Sequence, residues 1–184
     1  MSAVTRRSGA ARITMLAVAL PLWAAGCDYR LTTHARALPP RMRIVAVPAF
    51  VNHTRVPQLS QMITAATERE LLTRTHARVQ SRPPGSDALL RGTLLSATAA
   101  PITFDPITNR ATTVRVRLRI AVQFVDERSG RVLYSDPALI FTGNYQISEQ
   151  TQEYIEEDAL AWRRLSRRAA RDIVAAILDR FHHG

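Results

Sequence analysis

Three arginines at alternate positions, Arg115, Arg117 and Arg119, are the residues of this chain whose type and spacing best suit chemistry. The chemistry is anion capture. A guanidinium is a planar fork that grips a phosphate or carboxylate through two parallel hydrogen bonds. Between and beyond them stand Val114, Val116, Leu118, Ile120, Val122 and Phe124, so residues 112–126 alternate apolar with polar. Period-two alternation rich in β-branched residues reads as a half-buried strand. Its apolar side joins a core and its polar side carries the arginines. Neighbouring guanidinium-bearing positions then lie about 7 Å apart and repel unless solvated or paired with anions. A solvated outer face and an anion-binding face both fit this pattern.

The other reactive residue is Cys27, the single cysteine, which excludes an internal disulfide. It follows a cationic start (Arg6, Arg7, Arg12), an apolar run over residues 13–23 and the small residues Ala24, Ala25 and Gly26. The run is too short for a bilayer span, which needs about 20 residues. A charged start, a short apolar middle and a small-residue close are the pattern of a secretory signal peptide. The A-A-G-C ending also resembles the bacterial lipoprotein lipobox, with Ala24 where leucine is usual. That resemblance implies cleavage before Cys27 and acyl chains on it. Several chains anchor durably where one binds only marginally. Asp28 resembles an inner-membrane retention signal of enteric bacteria, which leaves the choice of membrane open.

No catalytic constellation is present, and the expectation is that the protein is not an enzyme. There is no G-x-S-x-G elbow, no H-E-x-x-H pair and no phosphate-cradling glycine loop. The five histidines (His34, His53, His76, His182, His183) lack metal-ligand spacing, so no metal and no cofactor beyond the acyl chains are expected. Glu156, Glu157 and Asp158 are consecutive and share no helix face, which suits helix-start charge better than acid–base work. All 25 basic residues are arginine and the net charge is +10. The leader holds three of them and no acid, so its removal leaves +7. Such a balance fits an anionic partner. Without an aromatic RNA-binding motif, zinc spacing or a basic recognition helix, nucleic acid is not the expected one.

Several elements must position the arginine strand. Residues 43–47 (R-I-V-A-V) read as a strand covered on both faces, ended by Pro48. Residues 50–54 read as a turn, with Asn52 or Thr54 able to cap the helix that follows over residues 57–73. Leu59, Met62, Ile63 and Ala66 form that helix's apolar stripe. A Pro/Gly/Ser loop at 81–87 leads to a long strand, 88–104, in which Gly92 predicts a bulge or a close backbone approach. A polar hairpin loop precedes the arginine strand. Residues 126–130 then turn tightly on Gly130 into a strand at 131–142, broken by Asp136-Pro137. From about 149 to 181 the period becomes 3.6, with Ile155, Trp162, Leu165, Ala169, Ile173, Ile177 and Phe181 on one stripe. Its length leaves room for a break around residues 159–162.

The expected fold class is therefore α+β, in the order β-α-β-β-β-α. Two helices pack on one face of a four-stranded mixed sheet and the other face stays open. The first strand would run parallel to a meander strand, with the first helix as crossover. The expected organisation is a signal peptide at 1–26, a lipidated tether at 27–40 and a single α/β sandwich domain at 41–184.

In this order the segments G-C-D-Y-R-L (26–31), L-P-P-R-M-R-I-V-A-V-P-A-F-V-N-H-T (38–54), A-L-L-R-G-T-L (88–94) and V-D-E-R-S-G-R-V-L-Y (125–134) resemble the lipopolysaccharide-assembly lipoproteins, the LptE-like family. F-D-P with the arginine strand after it, and an acidic-to-basic final helix, belong to the same likeness. The resemblance implies a lipoprotein on the periplasmic face of the outer membrane. It would plug an LptD-type β-barrel translocon, help the barrel assemble and help lipopolysaccharide reach the surface. Lipopolysaccharide carries anionic phosphates, so Arg115, Arg117 and Arg119 on the open face, with Arg91 on the neighbouring strand, become candidate ligand-binding residues. The segment I-V-A-V-P-A-F-V-N-H-T before a helix also resembles CsgG-like and LpoB-like envelope lipoproteins, which form a secretion pore or activate a cell-wall synthase. A structural envelope lipoprotein without a lipid ligand is the remaining reading.

Overall fold

Alternation in the arginine strand does what it predicts: it builds the centre of a two-faced layer. In a computed structural model that describes residues 38–147 and 151–181, the elements are β1 (Ile44–Ala46), β2 (Val51–Asn52), α1 (Leu59–Arg74), β3 (Arg78–Gln80), β4 (Ala88–Phe104), β5 (Ala111–Asp126), β6 (Val132–Gln146) and α2 (Thr151–Asp179). Cys27, the tether up to residue 37, and His182 and His183 lie outside the described residues.

The sheet is mixed and has six strands, in the order β3-β1-β4-β5-β6 with β2 pairing β4. Two strands are added to the four expected. Val51–Asn52, read from sequence as part of a turn, continues the line of β1 and pairs parallel with Thr93 and Leu94 of β4. Arg78–Gln80 pairs parallel with β1, so α1 is the crossover from β1 to β3, and β1 also runs parallel to β4. β4, β5 and β6 form the antiparallel meander.

The apolar residues of β5 from Val114 to Phe124 are buried in one cluster with Leu59, Ile63 and Leu71 of α1 and Trp162, Leu165, Ala169, Ile173 and Ile177 of α2. Both helices therefore pack on the same side of the sheet. Phe124 meets Phe181 edge-on, with ring centroids 6.3 Å apart and planes at 80°. Val45, Ala46 and Val47 are all inaccessible, as a strand covered on both faces requires. The open side is accordingly not bare at its base, where Ala46 and Leu89 are buried.

Three local expectations are corrected. Asn52 and Thr54 do not cap α1; its N-cap is Gln58, without a side-chain hydrogen bond. Asn52 instead staples the connecting loop, accepting from the Thr54 N–H at 2.9 Å and donating to the Val56 carbonyl at 3.0 Å. Short polar side chains close local turns as readily as they cap helices, and the loop geometry decides which. The register shifts of β4 against β5 fall between Leu94 and Ser96 and again between Pro101 and Phe104, not at Gly92. Gly92 meets the other half of its expectation, because a Cβ there would overlap the Phe50 ring. Finally, α2 is continuous from Thr151 to Asp179, without a break at 159–162, since Trp162 and Leu165 hold that turn in the core.

Candidate functional site

Arg115, Arg117 and Arg119 are exposed while their neighbours Val114, Val116, Leu118 and Ile120 are buried, so the guanidinium row lies on the side of the sheet away from both helices. Register fixes their surroundings. Arg115 stands between Ala100 and Asn144, Arg117 between Thr98 and Thr142, and Arg119 between Ser96 and Ile140. These neighbours are small, neutral or apolar, and none offers a carboxylate. Among the described residues no ion pair is made by Arg115, Arg117, Arg119 or Arg91. Arg115 has one weak partner: its Nε donates to the Asn144 carbonyl oxygen at 3.4 Å.

Arg91 is exposed on β4 and pairs with Gln123, two register steps beyond Ala121 and four beyond Arg119 on the same face. It borders a shallow depression of about 360 Å³ with Thr93, Gln123, Ser135 and the acid Asp136. The four candidate arginines thus share one face, three of them in a row and the fourth offset toward the base of the sheet. That spacing allows several phosphates to be held at once rather than one anion to be enclosed.

Sequence reasoning missed the apolar part of this region. Ile140 is 59% exposed beside Arg119. The β4–β5 hairpin carries Ile102 and Phe104 largely exposed and Ile107 at 92% exposure near its tip. The tip is a constructed turn: Asp105 accepts from the Ile107 and Thr108 N–H groups at 2.9 and 2.7 Å and from the Thr108 hydroxyl at 2.9 Å. Those bonds hold its carboxyl below the usual carboxylate range, the Thr108 N–H contributing most. Asn109 completes the turn at φ +51°, a conformation asparagine tolerates. The signal for an exposed tip was present in D-P-I-T-N, an isoleucine within a turn sequence, whereas the run A-L-I-F concealed which residue of β6 faces out.

Among the described residues no group of three or more His, Cys, Asp or Glu side chains is placed to hold a metal ion, and no helix is long and apolar enough to cross a membrane. The arrangement offers fixed cations beside apolar side chains.

Comparison with solved structures gives the same architecture at low identity. The structure resembles a candidate lipoprotein from Caulobacter crescentus CB15 with TM-score 0.51 and 12% identity, covering 73% of this chain and 91% of that one. It resembles rare lipoprotein B from Shewanella oneidensis with TM-score 0.50 and 12% identity, covering 74% and 94%. A sequence search of curated proteins finds no match. A family model for LptE, lipopolysaccharide-assembly, matches residues 42–177, from two residues before β1 almost to the end of α2. The chain belongs to the LptE lipopolysaccharide-assembly family.

Proposed function

We propose that this protein is a non-catalytic lipoprotein of the outer membrane, anchored by acyl chains on Cys27 and facing the periplasm. In this reading it assists lipopolysaccharide on its way to the cell surface as the plug and assembly partner of an LptD-type β-barrel. Arg115, Arg117 and Arg119, with Arg91, meet the phosphates of lipopolysaccharide. The observation that carries the reading is a row of three exposed guanidinium groups on the central antiparallel strand, opposite the core and without an ion-paired carboxylate among the described residues. Unpaired arginines at about 7 Å spacing repel one another, and a polyanion relieves that repulsion. The exposed Ile140, Phe104 and Ile107 supply apolar contacts for the acyl part of the same amphiphile.

The test is direct. Arg115→Gln/Arg117→Gln/Arg119→Gln should leave thermal unfolding close to wild type and weaken binding of labelled lipopolysaccharide on the order of tenfold, taking each exposed charge contact at a few tenths of a kcal/mol to 1 kcal/mol. Co-purification of the acylated protein with a barrel-type outer-membrane protein is the companion measurement. Wild-type values for both binding and co-purification in the triple variant would make the row a solvated surface only.

A further inference from the structure

The opposite end of the molecule carries a second basic region that the family resemblance does not assign. A cleft of about 680 Å³ opens there between the first described residues, the β5–β6 return and the end of α2. Arg41, Arg131 and Arg180 line it, with Pro39, Leu133 and Phe181 as its apolar walls. Asp179 also lies on its rim and has an interaction of its own. Arg41 is held at 3.7 Å from the Asp126 carboxylate, while Arg131 and Arg180 are exposed and form no ion pair among the described residues. Elsewhere at this end Asp87 and Asp126 are occupied by the fold, and Glu127 of the β5–β6 return is exposed. Asp87 takes the Arg128 guanidinium at 2.6 Å and the Arg43 and Ile44 N–H groups at 2.9 and 3.0 Å, and Asp126 takes the Arg128 and Ser129 N–H groups at 3.0 and 3.1 Å.

We propose that this cleft binds the phosphate of an anionic phospholipid headgroup in the same leaflet that holds the acyl chains of Cys27. The inference rests on the reading of Cys27 as the acylated residue. Cys27 and Pro39 are twelve positions apart, a reach of about 40 Å at most. The cleft therefore lies where the tether joins the folded part and can touch the bilayer surface. Its chemistry fits that surface: guanidinium forks for the phosphate, and proline, leucine and phenylalanine walls for the glycerol backbone and first methylenes. An acyl anchor joined to a basic patch is a two-signal arrangement that fixes orientation as well as attachment. It would set the base of the sheet against the membrane.

The experiment uses the chain from residue 27 with Cys27→Ser, which retains the compact unit His34–Gly184 and removes acyl anchoring. Co-sedimentation at low salt compares phosphatidylcholine vesicles with vesicles containing phosphatidylglycerol, neither holding lipopolysaccharide. Binding should require phosphatidylglycerol. Arg131→Gln/Arg180→Gln should lower it on the order of tenfold, and Arg131→Lys/Arg180→Lys should recover only part of it, because a point charge attracts the surface without the two-bond grip. Arg115→Gln/Arg117→Gln/Arg119→Gln removes one more charge than the cleft variant and should bind as wild type does. Binding without phosphatidylglycerol, or an equal or larger loss in the triple variant, overturns the proposal. Because no lipopolysaccharide is present, either result stands apart from the fate of the arginine row.

Discussion

Arginine serves two ends of this sheet in opposite ways. At the base, Arg128 binds Asp87 at 2.6 Å and Arg41 lies 3.7 Å from Asp126, so the loop before β4 and the β5–β6 return are tied together by charge. Along the outer part of β5, Arg115, Arg117 and Arg119 face neutral or apolar neighbours across the strands and form no ion pair among the described residues. The residue type is the same; what differs is whether the fold supplies the counter-charge. Arg41 and Arg128, which keep a carboxylate, tie the fold together, whereas Arg115, Arg117 and Arg119 along the ribbon, like Arg131 and Arg180 at the base, keep none among the described residues and are available to a ligand. The hairpin end of the ribbon also leaves apolar residues exposed, at Ile102, Phe104 and Ile107.

The comparison breaks most visibly on β5 itself, where adjacent residues serve opposite purposes. Phe124→Ala removes a fully buried ring that packs edge-on against Phe181. It should cost about 3–5 kcal/mol of unfolding free energy in denaturant titration. A smaller value would mean that the core relaxes around the cavity. Next comes Gly92→Ala, where the added methyl overlaps the Phe50 ring. Overpacking of this kind should destabilise by about 1–3 kcal/mol, and pairing it with Phe50→Leu should recover part of the loss.

Acid sharpens the contrast between the two kinds of arginine. The Arg128 hydrogen bond, followed by the Ile44 N–H, holds the Asp87 carboxyl below its ordinary value in the folded state. A carboxyl depressed on folding contributes stability that is present above its unfolded value, near pH 4, and lost as pH falls through the folded value. Asp87→Asn should therefore be less stable than wild type at pH 6, with the gap closing as pH approaches 3 in thermal scans. A constant gap would show that Asp87 acts through geometry and not through charge. The smallest expected effect is on the ribbon: Arg117→Ala should change unfolding free energy by no more than about 0.5 kcal/mol. A loss above 1 kcal/mol there would mean that the row is structural after all.

Much of this was legible in the residues because one strand announces its own two faces. Strict alternation over Val114 to Phe124 leaves a single register in which the apolar set is buried, and that register turns the arginines out. The final helix was legible for the same reason at period 3.6. Val51–Asn52 and Arg78–Gln80 were not, because two or three residues are too few to show a period; they are strands only because β4 and β1 lie beside them. The role of Asn52 was misread because the same side chain can cap a helix or staple a loop, and the local sequence does not choose between them.

The sequence by itself determined the alternation of β5, the acidic-to-basic final helix and the surplus of arginine. These depend on neighbours along the chain, where period and composition act directly. Only the tertiary structure decided which arginines keep a carboxylate, that Gly92 makes room for Phe50, and that Pro39, Arg131 and Arg180 meet in one cleft. Such contacts join residues tens of positions apart. They are set by how the layers pack, and no local pattern encodes them.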